Sequence, residues 1–216
     1  MGKSELMEEM QRRRLVAVIR SKSSTEALAT VGAVADAGVK FVEITMTVPG
    51  AMDVIETLAG RSELFVGAGT VLSNDEAEKV ISAGARFVVS PTLELDLIPI
   101  CRKADVACVS GAASPTEVLT AKRAGADLVK IFPADCLGGP GFIRQMLGPF
   151  PDTRFLVSGG VNPDNVKEYV TLGVTGLALA SAPLDQELKQ GGHDAVVAHV
   201  RKFMDRVEET GSLSAA

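Results

Sequence analysis

RAGADLVKIFPA, residues 123–134, carries both halves of the pattern that decides the fold. Arg123-Ala124-Gly125 reads as a helix end, where glycine takes the left-handed conformation that closes the last turn. Asp127-Leu128-Val129 opens a short strand, Ile131 and Phe132 continue it, and Pro133 ends it. The run is apolar without alternation, as expected of a strand buried on both faces of a parallel sheet. Lys130 stands in its middle. A buried, unpaired ammonium is expensive unless the group sheds its proton. Free lysine holds its proton to about pH 10.4, so only a setting that strips it yields a nucleophile towards ketones. The structural alternative is a strand-end lysine that snorkels to solvent.

Working outward, the same unit recurs along the chain. Strands are expected at LVAVI (15–19), KFVEIT (40–45), LFVGA (64–68), RFVVS (86–90), VACVS (106–110), DLVKIF (127–132), RFLVS (154–158) and TGLALA (175–180). Helix ends fall at DAG (36–38), SAG (82–84), RAG (123–125) and TLG (171–173). Helix starts fall at Ser24-Thr25-Glu26, Ser73-Asn74-Asp75-Glu76, Ser114-Pro115-Thr116-Glu117 and Asn162-Pro163-Asp164, which combine polar caps, early acids and proline near the first turn. Eight such units with no linker between them give an α/β fold, a (β/α)8 TIM barrel forming one domain over 1–216. An open doubly wound sheet is the alternative, but no G-x-G-x-x-G follows the first strand. An N-terminal helix over 1–14, about 3–14 in its regular part, is expected to cover the barrel bottom. The tail at 209–216, small and polar from Gly211, is expected to fray.

The chain has 216 residues, 46% of them hydrophobic, enough for a large core without staples. Its three cysteines, Cys101, Cys108 and Cys136, lack metal-ligand spacing, and the odd count points to reduced thiols in a cytoplasmic protein. Cys108 reads as core. A formal charge of -5 and the absence of a basic stripe argue against nucleic acid as a partner. Arg12-Arg13-Arg14 reads as a solvated helix end. The opening residues lack a signal-peptide apolar region, and no run approaches the roughly 18 apolar residues of a membrane helix. His193 and His199 both fall in the last helix, away from the strand ends, so neither a zinc site nor a histidine triad is expected.

Barrel chemistry gathers where strands end. Those ends carry Arg20; Glu43 and Thr45; Gly67-Ala68-Gly69-Thr70; Ser90-Pro91-Thr92; Ser110-Gly111; Lys130 and Phe132; Ser158-Gly159-Gly160; and Ala180-Ser181. Only Glu43 and Lys130 are ionisable residues inside apolar strands. Facing inward together they would serve as base and nucleophile, or else brace the barrel as a buried ion pair. Glycines after the seventh strand and Ser181 after the eighth suit an anion, since backbone N–H groups can approach it closely and the helix start at Asn162-Pro163 adds a favourable dipole.

EIT at 43–45, GAGTV at 67–71, SP at 90–91, KIFPA at 130–134 and SGGVNPDN at 158–165 together resemble the class I aldolases of 2-keto-3-deoxy-6-phosphogluconate (KDPG) and 4-hydroxy-2-oxoglutarate. The resemblance spans about residues 12–207, in order and at similar spacing. It implies a (β/α)8 homotrimer that needs no metal or other cofactor and acts on a small 2-keto acid or sugar phosphate. It also implies Lys130 as the Schiff-base lysine and Glu43 as the general acid/base. Thr70 would hold the carboxylate, Pro91 and Phe132 would wall the pyruvyl group, Arg20 would reach the distal end, and Gly159, Gly160 and Ser181 would line the phosphate site. Gluconate-type members often carry an arginine just after the second-strand motif, where it contacts the carboxylate. Here Thr47 stands at that place in EITMTVPG, as in galactonate-type relatives that lack the arginine. The expected reaction yields pyruvate and glyceraldehyde 3-phosphate. The alternatives are a 4-hydroxy-2-oxoglutarate aldolase giving glyoxylate, a phosphosugar isomerase or epimerase, and an inactive sugar-phosphate-binding relative.

Overall fold

In the computed structural model, which describes residues 1–210, eight parallel strands close into one barrel in sequence order. They are β1 (Leu15–Ile19), β2 (Phe41–Thr45), β3 (Phe65–Gly69), β4 (Phe87–Val89), β5 (Ala107–Ala112), β6 (Leu128–Ile131), β7 (Phe155–Val157) and β8 (Gly176–Leu179). The helices are α1 (Lys3–Arg13), α2 (Ser24–Asp36), α3 (Ala51–Ala59), α4 (Asn74–Ser82), α5 (Leu97–Lys103), α6 (Pro115–Ala124), α7 (Pro140–Leu147), α8 (Val166–Thr171) and α9 (Ser181–Glu208). The seam pairs Leu15, Val16 and Ala17 of β1 with Leu177, Ala178 and Leu179 of β8. All eight strands fall where the apolar runs place them. β5 runs two residues past the expected end, bringing Gly111 into register with Lys130.

Two apolar layers explain the continuous strand pattern. Outward-facing residues such as Ala17, Ile19, Val42, Ile44 and Ile131 pack under the helices. Inward-facing Val16, Phe41, Phe65, Phe87, Leu128, Leu156 and Ala178 fill the barrel. Leu6, Met7 and Met10 of α1 join this inner set, so the N-terminal helix plugs the bottom. The top is left to the strand ends.

Local signals hold at most boundaries. Gly38, Gly84, Gly125 and Gly173 all take positive φ at helix ends. Ser23, Ser73 and Ser114 accept the N–H three residues on, the N-cap contact. Glu117 returns to accept from Ala113 N and Ser114 Oγ, and these bonds hold its carboxyl below the ordinary range.

Two expectations need correction. Asn162-Pro163 does not begin a helix. Asn162 Oδ1 accepts from both Asp164 N and Asn165 N, closing a separate turn, and α8 starts only at Val166. Arg14 is not a solvated helix end. It takes φ 62° as the C-cap of α1, and its guanidinium turns under the barrel to donate to Val174 O; burial lowers its pKa. Arg12 and Arg13 do lie at the surface edge, paired with Glu9. Cys108 is core, as expected. Of the expected tail, Glu209 and Thr210 hydrogen-bond to the last turns of α9, and 211–216 lie outside the described residues.

Candidate active site

β2 and β6 lie four strands apart in a ring of eight, so they face each other across the barrel. Glu43 stands one inward position above Phe41, and Lys130 one above Leu128. Each charge therefore rises from the apolar filling of its own strand. Their side chains meet across the axis, with Lys130 Nζ 3.5 Å from Glu43 Oε1. Lys130 is 5% exposed and Glu43 0%. The separation exceeds the roughly 2.7–2.9 Å of a charge-assisted hydrogen bond. Both Glu43 oxygens are buried without a hydrogen-bond partner. The nearest donor group is thus the amine of Lys130 itself.

Space for two long side chains in one barrel layer comes from glycine. A Cβ on Gly69 would lie 2.0 Å from Glu43 Oε1. No real atom pair tolerates that approach, so any side chain at 69 must drive Glu43 out of place. The next residue, Thr70, holds φ 59°, a strained conformation for a β-branched residue.

The other predicted residues lie at the same end of the barrel. The Phe132 ring lies 5.6 Å from Lys130 Nζ and is 38% exposed, an apolar face at the mouth. Arg20, at the end of β1, donates from Nη1 to Thr47 Oγ1 at 3.3 Å and from Nη2 to Thr70 Oγ1 at 3.2 Å. Thr47 Oγ1 is 2.8 Å from Thr45 Oγ1, which donates to Ile19 O at 3.0 Å. Arg20, Thr47 and Thr70 are thus one polar cluster over β1–β3, with the guanidinium turned away from β8. Pro91 follows β4 at the same end of the barrel. Among the described residues, no hydrogen bond or ion pair joins Pro91, Gly159, Gly160 or Ser181 to the Lys130–Glu43 pair.

Gly159 and Gly160 follow β7 with φ 96° and 69°. A Cβ on Gly160 would sit 2.4 Å from Asp135 Cβ, so the chain passes hard against the loop after β6. The Gly160 carbonyl is held by Asn162 Nδ2 at 3.0 Å and Asn165 Nδ2 at 2.8 Å. Sequence reading credited Asn162 with starting a helix; its amide instead fixes this loop. The helix start available at this end is that of α9. Ser181 is its first residue, and its N-cap, Ala180, contributes no side-chain cap. The N–H groups of Ser181 and Ala182 are left for another acceptor, while Pro183 has none.

Comparison with known proteins agrees with this arrangement. Residues 6–198 match the family described as KDPG and KHG aldolase. The chain belongs to that family. It is 34% identical to the 2-dehydro-3-deoxy-6-phosphogalactonate aldolase of Escherichia coli, over 77% of this chain and 82% of the relative. It is also 34% identical to the 2-dehydro-3-deoxy-phosphogluconate aldolase of Pseudomonas aeruginosa, over 74% of this chain and 73% of the relative. A solved KDPG aldolase of Legionella pneumophila superposes with a TM-score of 0.82 at 27% identity, covering 90% of this chain and 96% of that one. That protein was captured with pyruvate as a covalent carbinolamine. The chain is accordingly a class I, Schiff-base aldolase.

Gly69→Ala tests the packing of the pair. The methyl group should displace Glu43 and reduce kcat by at least roughly a hundredfold, as small misplacements of reacting groups do. Gly67→Ala, which meets Phe87 rather than Glu43, is the control. It should lower melting temperature without a matching loss in the kcat of the folded fraction.

Proposed function

We propose that this aldolase cleaves a 2-keto-3-deoxy-6-phospho sugar acid to pyruvate and glyceraldehyde 3-phosphate, with Lys130 forming the Schiff base. The observation that carries the reading is the buried Lys130–Glu43 pair, with the carboxylate 3.5 Å from the amine. Lys130 passes a proton to Glu43, its neutral Nζ attacks the C2 carbonyl, and return of that proton to the carbinolamine hydroxyl expels water to give a protonated imine. Glu43, acting through a water, removes the proton of the C4 hydroxyl. The C3–C4 bond breaks, its electrons pass into the imine, and the aldehyde leaves. Glu43 then returns a proton to C3 of the enamine, and hydrolysis frees pyruvate. Phe132 and Pro91 wall the pyruvyl methyl.

The carboxylate end is the Arg20–Thr47–Thr70 cluster. The cation that gluconate-type relatives supply from the position of Thr47 comes here from Arg20, one strand away. The bonds of Arg20 to Thr47 and Thr70 support a role at this end, beside the distal role that the resemblance implies. Gly159, Gly160, Ser181 and the free N–H groups of α9 take the phosphate. Equal identity to gluconate-type and galactonate-type relatives leaves the C4 epimer to kinetics. We further propose a cytoplasmic homotrimer, in keeping with the resemblance. Exposed Leu72 and Leu95, on the loops after β3 and β4, are apolar side chains that a neighbouring subunit would cover.

Comparing substrates tests the reading. Losing a charge-assisted hydrogen bond costs about 1.5–3 kcal/mol, or roughly ten- to a hundredfold in affinity. Without a phosphate, 4-hydroxy-2-oxoglutarate forfeits the distal contacts. Its kcat/KM should fall below that of the better hexonate phosphate by at least tenfold, within that same range. Thr47→Arg adds a second guanidinium at the carboxylate end and displaces one Arg20 bond. It should lower KM for the short substrate more than for the phosphorylated ones. Equal or better wild-type efficiency on the short substrate would move the assignment to a 4-hydroxy-2-oxoglutarate aldolase.

Chelation supplies an independent check. The imine is the electron sink, and among the described residues no group of three or more His, Cys, Asp or Glu is placed to hold a metal ion. Cleavage should proceed at an unchanged rate in EDTA. Loss of activity that a divalent ion restores would contradict the imine route.

A further inference from the structure

Ser21 is 3% exposed, and its hydroxyl donates to Asp185 Oδ1 at 2.9 Å, linking residues 164 apart in the chain. This bond sits where the barrel sheet cannot hold itself. The β1–β8 pairing stops at Ala17 and Leu179, while β1 runs on to Ile19 paired only with β2. Above that level, the loop carrying Arg20 and Ser21 and the turn carrying Ala180 and Ser181 have no ladder between them. α9 is also interrupted along its length. Gly192, with φ 70° and ψ -156°, breaks its helical path. The segment 181–191 is thereby separated from the longer stretch bearing Val196, Val200, Phe203 and Val207, which is buried against the barrel. Leu184 and Leu188 seat that first segment on the core, Glu187 pairs with His199 at 3.5 Å, and Asp185 is its hydrogen-bonded tie to the loop after β1. Ser181 and Asp185 are four residues apart and share one helix face, so fixing Asp185 fixes the direction in which Ser181 points.

We propose that Asp185 is a positioning residue, whose hydrogen bond from Ser21 sets the orientation of the α9 N-terminus for the substrate phosphate. The inference rests on the phosphate subsite proposed above. It runs against simple electrostatics. A carboxylate one turn from an anion site should repel the anion, and its removal should tighten binding. A clasp predicts the reverse, because loosening the first turn of α9 swings Ser181 and the free N–H groups off their target.

The test is competitive inhibition by inorganic phosphate, alongside KM for the hexonate phosphate that the enzyme cleaves. Asp185→Ala should raise both the phosphate inhibition constant and KM by roughly tenfold, the equivalent of one hydrogen bond to a charged group, with kcat little changed. Ser21→Ala should match it, and the double variant should add nothing further. Asp185→Asn keeps an acceptor for Ser21 and loses the charge, so it should bind phosphate at least as tightly as the wild type. Tighter phosphate binding by Asp185→Ala, unchanged constants, or an Asp185→Asn variant as weak as Asp185→Ala would overturn the clasp. So would a melting temperature that falls without any change in the phosphate constant. If phosphate fails to inhibit the wild type, the phosphate subsite itself falls and the clasp falls with it. Inhibition of the wild type with no change in the variants removes the clasp alone.

Discussion

The structure turns on one interaction, an ion pair that crosses the inside of an apolar barrel. Two charges withdrawn from water are costly, and their attraction repays that cost only when geometry and further hydrogen bonds are good. At 3.5 Å, with no protein hydrogen bond to Glu43 among the described residues, this pair is poorly compensated as a brace. Well-packed apolar residues in its place would serve stability as well or better. A barrel that keeps such a pair, and clears a glycine at 69 to fit it, is organised around what the two groups do to a substrate.

The division of the barrel into ends follows. Below, Leu6, Met7 and Met10 of α1 meet the inner phenylalanines and valines, and stability is concentrated there. Above, the strand ends offer hydroxyls, glycine backbone and a guanidinium, each placed by a different strand. The Arg20–Thr47–Thr70 cluster lies over β1–β3 and the glycine loop follows β7. The Lys130–Glu43 pair spans the barrel between them.

Much of this was legible in the sequence because burial on both faces leaves an unbroken apolar run. A charge inside such a run is conspicuous, which is why Lys130 and Glu43 could be picked out without coordinates. Helix ends were legible wherever a glycine had to take positive φ. What escaped was set by tertiary placement. Asn162 carries a helix-start signature, yet its side chain closes a turn and steadies Gly160. Arg14 looked solvated because sequence shows no carbonyl waiting beneath the barrel. The direction of Arg20 depends on two threonines from other strands. Gly69 stood among the strand-end residues, and its closeness to Glu43 belongs to packing across strands. Nothing in local sequence joins Ser21 to Asp185.

The most direct test of the central claim is covalent. Incubation with pyruvate and sodium borohydride, followed by peptide mass analysis, should place one reduced pyruvyl group on the peptide bearing Lys130. Lys130→Ala should take up none. Labelling of another lysine such as Lys40 or Lys122, or retention of turnover by Lys130→Ala, would contradict the account.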